Sequence, residues 1–396
     1  MQQLVDRLIA AGSFGKNPPR DLVYALAILL FSAIVFLGVA FPFAAIMSWF
    51  ERRVWARIQS RVGPNRVGPN GFLQWLADGF KSVCKEDIVP SEADPRLFKL
   101  APYLVMLAFI APWAVMPFSS DLILADLNVG ILYMTAVTAL TVVGVLMAGW
   151  SSNDKWSLIG GVRSAAQIVS YEIPAGLSIF PVVLMAGTLS MQGIIGAQGW
   201  APQNWFIFAN PFCFVAANIL FMSSLAEGNR TPFDLPEADT ELVAGFATEY
   251  SGLRYLFFFM AEWGNLFIIG GIIATLFLGG WQFPHLSGSR VVMNVLQLIT
   301  FNVKVLAIVF FSMWIRATLP RVRIDQLMSV CWKYFVPISF VDMIGTAVWV
   351  AIWPSGNRVA GWIMLALGVA VVVLFIQRVV YYLRRSRMEL YFSPII

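Results

Sequence analysis

Charged side chains are scarce in this sequence: Asp, Glu, Lys and Arg make up 12% of 396 residues, against 59% hydrophobic ones. A water-facing surface of ordinary charge density cannot be covered from that inventory, so a soluble globular fold is excluded. Cysteine is nearly absent. Cys84, Cys213 and Cys331 lie far apart with no Cys-x-x-Cys spacing, which rules out an iron–sulfur or zinc site built from this chain alone. The single histidine, His285, excludes bis-histidine haem ligation within one chain. No Gly-x-Gly-x-x-Gly turn follows a strand pattern, so dinucleotide binding belongs elsewhere. The net charge of +5 is not gathered into a patch but alternates with apolar runs, which speaks against nucleic acid as a partner.

What the chain has in abundance is long apolar runs. They fall near residues 22–48, 101–119, 129–149, 163–187, 211–227, 254–279, 292–316, 336–353 and 359–381, each close to the roughly 20 residues that cross hydrocarbon. The first is too long for a signal-peptide core and is followed by Glu51-Arg52-Arg53, so it is expected to be retained. The fold expected is an all-α integral membrane protein, a bundle of about nine transmembrane helices forming one membrane domain over 1–396. With the N-terminus periplasmic and the C-terminus cytoplasmic, 21 of the 27 Lys and Arg fall on the cytoplasmic side and five on the other, as the positive-inside rule requires.

Two cytoplasmic segments are more than connections. The loop at 49–100 carries a tandem Arg-Val-Gly-Pro-Asn at 61–65 and 66–70, whose turns fix its path and whose arginines could hold lipid headgroups or an anionic partner surface. Within it Phe72, Trp75, Leu76, Phe80 and Val83 share one helical stripe and Gln74, Asp78, Lys81 and Lys85 the opposite one, predicting an interfacial amphipathic helix over 72–83. The second segment, 227–254, is rich in acids: Glu227, Asp234, Glu237, Asp239, Glu241 and Glu249. A topogenic loop has no use for them. Pro236 at a helix start would put Glu237 and Glu241 on one face, where one of two like charges binds a proton more readily.

Ionisable residues also fall inside the spans. At 1.5 Å per residue, Glu172 lies about 13 Å in from Arg163, Glu262 about 12 Å from Arg254 and Lys304 about 18 Å from Arg316. Such depth costs at least about 2.5–3.5 kcal/mol per charge, so these side chains should face the bundle interior. Glu172 reads as a proton-relay group or a structural salt bridge, Lys304 as a relay member or a counter-ion to Glu172 or Glu262. Glu51, at the inner end of the first helix, is a weaker candidate because two arginines adjoin it. Asp342, at similar depth, has no role assigned.

Taken together, Glu51-Arg52-Arg53 with Arg61-Val-Gly-Pro-Asn, Gly71-Phe-Leu-Gln-Trp-Leu-Ala-Asp-Gly-Phe-Lys81, and Arg230-Thr-Pro-Phe-Asp-Leu-Pro-Glu237 resemble the H-subunit family of respiratory complex I, the proton-pumping NADH:quinone oxidoreductase. Arg163-Ser-Ala-Ala-Gln-Ile-Val-Ser-Tyr-Glu172, Glu249-Tyr-Ser-Gly, Met260-Ala-Glu262 and the run from Trp314 to Met328 support it, and the likeness extends from about residue 24 to 353. The resemblance implies a component of a bacterial inner membrane complex that docks the peripheral arm and forms much of the chamber where quinone, the substrate, is reduced. It implies a chamber lined by Arg52, Arg61, Phe72, Asp78, Arg230, Phe233 and Asp234. An acidic relay maps onto Glu51, Glu172, Glu227, Glu237, Glu241, Glu249 and Glu262, with Lys304 added from its depth. No cofactor is expected on this chain; FMN, NADH and iron–sulfur clusters are expected in partner subunits of the peripheral arm. Small membrane-arm subunits and membrane lipids are the other partners implied. The family core has about eight spans within 1–353, so residues 354–396 add a further helix and a basic tail. The homologous membrane component of an energy-converting hydrogenase is the nearest rival reading. A stand-alone secondary transporter is the other, though no inverted repeat is visible between the halves.

Overall fold

The computed structural model describes residues 41–235, 239–284, 289–353 and 359–370, with 373–374, 377–378 and 381. The described residues are helical, without strands, and six helices among them are long and apolar enough to cross a membrane. In chain order the helices are α1 (Phe41–Ile58), α2 (Gln74–Cys84), α3 (Pro95–Ile110), α4 (Gly130–Ser151) and α5 (Lys155–Ala186). There follow α6 (Met191–Ala197), α7 (Pro211–Glu227), α8 (Gly252–Phe277), α9 (Arg290–Thr318), α10 (Ile324–Ile352) and α11 (Val359–Ala370).

The six long spans are α3, extended by a 3₁₀ turn to Ala114, and α4, α5, α8, α9 and α10. The helices α7 and α11 are apolar but shorter, and most of the expected first span, 22–40, lies outside the described residues. Several helices begin before their apolar runs do. Asp94 accepts from the amides of Arg96 and Leu97 ahead of Pro95, and Asp154 accepts from those of Trp156 and Ser157, so α3 and α5 start six and eight residues earlier than hydropathy alone places them. Hydropathy marks where hydrocarbon begins, whereas caps mark where backbone bonding begins. For the same reason α1 runs on through Ile58, past the boundary expected at 48.

Close helix contacts rest on small residues, which let backbones approach where lipid tails give no hydrophobic drive to association. Gly149 of α4 meets Ser157 and Gly161 of α5, Gly160 of α5 meets the backbone of Gly245, and Gly264 of α8 lies against the Phe109 ring of α3. Helix α8 packs on α1, α3 and α9, and α5 packs on α4, α7 and α10. The aromatic column Phe43, Phe267, Trp113, Phe118 and Phe301 links α1, α8, the turn after α3 and α9. The amphipathic helix forms at Gln74–Cys84, two residues later than its stripe predicts at the start and one at the end.

Candidate functional site: a buried ion cluster beside an apolar cavity

The segment after α7 folds back into the bundle. Gln167 of α5 donates to the carbonyls of Ala226 and Phe233, both at 2.8 Å, and Val322 donates its amide to Pro232 at 3.0 Å. Phe233 is buried against Tyr171, whose hydroxyl is held by the Leu327 carbonyl at 2.9 Å. So pinned, the loop carries Arg230 inward, where its side chain is 2% exposed.

Arg230 there meets two helices, α1 and α8. Its Nη1 donates to both oxygens of Glu51 in α1, at 3.2 and 3.0 Å, and its Nε lies 3.2 Å from Glu262 Oε1 in α8. The guanidinium stacks on the Trp263 ring at 4.6 Å. Arg316 of α9 donates to Glu51 at 2.7 Å, lies 3.9 Å from Glu262, and stacks on Trp55 at 4.9 Å. Glu51 is 3% exposed, Glu262 16% and Arg316 18%. Two guanidiniums and two carboxylates cancel in charge, which is the condition under which ions persist out of water, since desolvating each costs several kcal/mol unless mutual attraction offsets it. Asp234 stands close enough to Glu262 for their charges to interact, tilting the group negative.

Sequence reasoning put Arg230 in the chamber and Glu51 and Glu262 in the relay, but did not bring them together, and it gave Arg316, a cytoplasmic-side charge within the family-like run from Trp314 to Met328, no place in the site. The signal available for Arg316 was its place at the end of an apolar span, a position also occupied by arginines that do nothing but set orientation. Of the two arginines that adjoin Glu51, Arg52 turns away to Asp78 of α2 at 2.6 Å, and Glu51 takes its partners from α9 and the loop.

Trp263 also lines a cavity of about 420 Å³ bounded by α1, α2, α3 and α8. Its walls are nearly all apolar: Ala44, Ala45, Trp75, Leu76, Phe80, Val83, Met106, Leu256, Phe257, Phe259 and Met260, with Ser48 and Asp78 the polar exceptions. The stripe predicted for the amphipathic helix thus faces this space. Gln74 donates to Asp78 at 2.9 Å, and Phe72 sets its edge against Trp49 at 5.4 Å, so the first turn of α2 is clipped to α1. Gly71, at a φ of 72°, lies where a Cβ would run into the Pro64 carbonyl, so the second Gly-Pro-Asn turn closes on the first only with glycine there. Arg61 is exposed and bonds only to Gln59 among the described residues, away from the cavity lining.

The remaining relay candidates divide. Glu172 and Glu227 approach closely enough for their charges to interact, and Glu227 lines a small cavity of about 40 Å³ with Thr138, Ser224 and Asn265, room for a water. Glu172 forms no ion pair among the described residues, and its buried Oε1 has no hydrogen-bond partner among them. Glu241 is exposed and pairs with Arg163 at 2.9 Å, and Glu249 is half-buried at the end of the loop. Glu237 and the helix start expected at Pro236 lie outside the described residues, as does His285. The counter-ion reading of Lys304 is corrected: its ammonium donates to the carbonyls of Leu278 and Gly280 at 2.7 and 2.8 Å and sits over Trp205, capping α8 rather than meeting a glutamate. Asp342 is buried away from the ion cluster, near Cys213. No group of three potential metal ligands occurs among the described residues.

The sequence profile of the family described as NADH dehydrogenase matches residues 31–347. The H subunit of NADH-quinone oxidoreductase from Anaeromyxobacter dehalogenans is 50% identical over 365 residues, covering 86% of this chain and 88% of that relative. This chain belongs to the family of NADH-quinone oxidoreductase H subunits. The H subunit from Chlorobaculum tepidum is 44% identical over 337 residues, with 83% of this chain and 93% of the relative covered. A Rhodothermus marinus relative named NADH-quinone oxidoreductase subunit 8 is 43% identical over 322 residues, with 78% and 93% covered. As an H subunit, the chain is one component of an oxidoreductase complex, and the family match spans α1 to most of α10 while leaving α11 outside.

Proposed function

We propose that this chain forms the membrane-side wall of the quinone-reduction chamber, docks the peripheral arm through the loops at 49–100 and 227–254, and passes charge or protons from that chamber into the membrane arm. One observation carries this reading: an apolar cavity large enough for a quinone ring and the start of an isoprenoid tail lies against Trp263, and Trp263 stacks on the buried Arg230. A long hydrophobic substrate reaches such a space from the bilayer between α1, α2 and α8. Its headgroup then stands a ring's thickness from an ion cluster balanced to within one charge.

Reducing a quinone adds two electrons, delivered by partner subunits, and draws two protons. A negative charge arising roughly 7 Å from the cluster, at an effective dielectric of about 20, interacts with a unit charge there by about 2.4 kcal/mol, nearly two decades in proton affinity. Arg230 and Arg316 meet that charge. The demand falls on the acidic side of the cluster, Glu51, Glu262 and Asp234, as the guanidiniums are drawn toward the headgroup. The Glu172–Glu227 pair, with its pocket for water, is the next step inward, and Glu241 and Glu249 are the loop acids facing the peripheral arm. In this orientation the N-terminus is periplasmic, and nine spans include α7, α11 and the run at 22–48.

Gly79 lines the cavity, and a Cβ built on it meets nothing within 4 Å. Gly79→Phe therefore adds an aromatic ring at the cavity wall, from a position where its Cβ finds open space. In the purified complex it should raise KM for a long-tailed quinone at least about tenfold while NADH oxidation by an artificial acceptor upstream stays at the wild-type rate. A wild-type KM would remove the cavity from the substrate's path. For the relay, Glu172→Gln and Glu241→Gln should each lower coupled quinone reduction with upstream electron transfer intact; unchanged coupled turnover in both would end that assignment.

A further inference from the structure

A second concavity, about 580 Å³, lies on the opposite side of α1, between it and α9. It is lined by Trp49, Phe50, Val54, Ile58, Phe310 and Trp314, and its polar members are Arg53 and Arg57. These two arginines are four residues apart and so share one face of α1. Neither takes part in an ion pair among the described residues, whereas Arg52, Arg230, Arg254 and Arg316 all do. Arg53 lies over the Trp49 ring at 5.5 Å, which holds its guanidinium along the groove wall. Gly63 of the first Arg-Val-Gly-Pro-Asn turn packs on Ala56 and Arg53, fixing that end of α1.

We propose that this groove is a binding site for one anionic phospholipid, its phosphate held by Arg53 and Arg57 and an acyl chain laid along Phe50, Val54, Phe310 and Trp314. Three features select a lipid over a soluble partner. The apolar wall extends about 13 Å along α1 from Ile58 to Trp49, which is the direction of the hydrocarbon, and no water-soluble surface follows it there. The uncompensated positive charge lies in the half of that wall nearer Ile58, Arg53 at its middle and Arg57 at its end, toward the side where headgroups lie. Trp314, near the cytoplasmic end of α9, is a side chain that favours the boundary between headgroup and tail. The site is separate from the quinone cavity, with α1 between them, so its occupancy does not depend on the chamber reading.

The test uses the whole complex reconstituted in nanodiscs of phosphatidylcholine with a trace of phosphatidylglycerol carrying a photoactivatable acyl chain, the labelled peptides being mapped by mass spectrometry. Label should appear on residues 49–58 and 310–314 and be displaced by unlabelled phosphatidylglycerol but not by phosphatidylcholine. A juxtamembrane arginine favours an anionic headgroup by a factor of roughly 5, so R53Q/R57Q should lower labelling there by about 25-fold, and R53K/R57K should restore most of it. Labelling of an α4 peptide should be unchanged and show that the variant subunit is inserted and folded. Equal labelling by a phosphatidylcholine probe would overturn the proposal by removing headgroup selectivity. Absence of label in the groove would overturn it by showing that another polypeptide covers the site.

Discussion

Replacing Glu51 by Gln tests the ion cluster most directly. The carboxylate accepts from Arg230 at 3.2 and 3.0 Å and from Arg316 at 2.7 Å, with 3% of its side chain exposed. The amide keeps the shape and one acceptor but removes the charge, leaving two guanidiniums with Glu262 and the more distant Asp234. Removing one partner of a buried pair costs about 3–5 kcal/mol. Arg316 retains some access to solvent, which places this case near the lower figure, a factor of roughly 150 in local opening at about 1.4 kcal/mol per decade. Hydrogen exchange in the purified complex reads that quantity at the amides of residues 48–56, whose protection should fall by about two decades in E51Q. Adding R316Q also removes the guanidinium that has lost its Glu51 partner, and the double variant should regain protection, with a coupling of roughly 1–3 kcal/mol. If E51Q exchanges like wild type, or the double variant opens more readily than the single one, the cluster does not hold α1 to α9 and the reasoning fails.

Two further expectations concern residues at the other end of the bundle. Asp121, in the loop before α4, is bound by Arg290 at 2.7 and 2.9 Å and by Asn294 at 2.9 Å, and the hydrogen bonds from Arg290 and Asn294 lower its pKa from 3.8 to about 2. Because the folded value lies below the unfolded one, the contact contributes fully above about pH 4 and is lost as pH falls toward 2. A ¹³C-carboxyl titration should find the midpoint near 2 in wild type and near the ordinary aspartate value in R290Q; the same midpoint in both would refute the pairing. Lys304→Met strips the cap from the Leu278 and Gly280 carbonyls, so it should lower the complex's thermal midpoint while protons moved per electron stay constant; a fall in that ratio would place Lys304 in the relay itself.

Much of this protein is written locally. Composition and run length alone exclude a soluble fold, and the spans α3, α4, α5, α8, α9 and α10 fall where apolar runs predict, because transfer of a helix into lipid is summed over neighbouring residues. The motifs that carry the family likeness are likewise short and contiguous. The amphipathic stripe at Phe72 to Val83 predicts the helix, though not what its apolar face overlooks.

The site itself is not local. Glu51 and Arg230 are 179 residues apart, and Glu51 and Arg316 are 265 apart. Nothing in the surroundings of an arginine at a helix end says whether it sets topology, as Arg57 can, or neutralises a carboxylate inside the bundle, as Arg316 does. Lys304 shows the same limit from the other side: depth predicts a buried partner, and only packing reveals that the partner is a pair of backbone carbonyls. That the chain is a helical membrane component of the H family follows from its residues read in order, because hydropathy and motif are properties of neighbours along the chain. Which charges meet, and that they meet one tryptophan away from an apolar cavity, emerges only once the helices pack, because electrostatic balance out of water is set by neighbours in space.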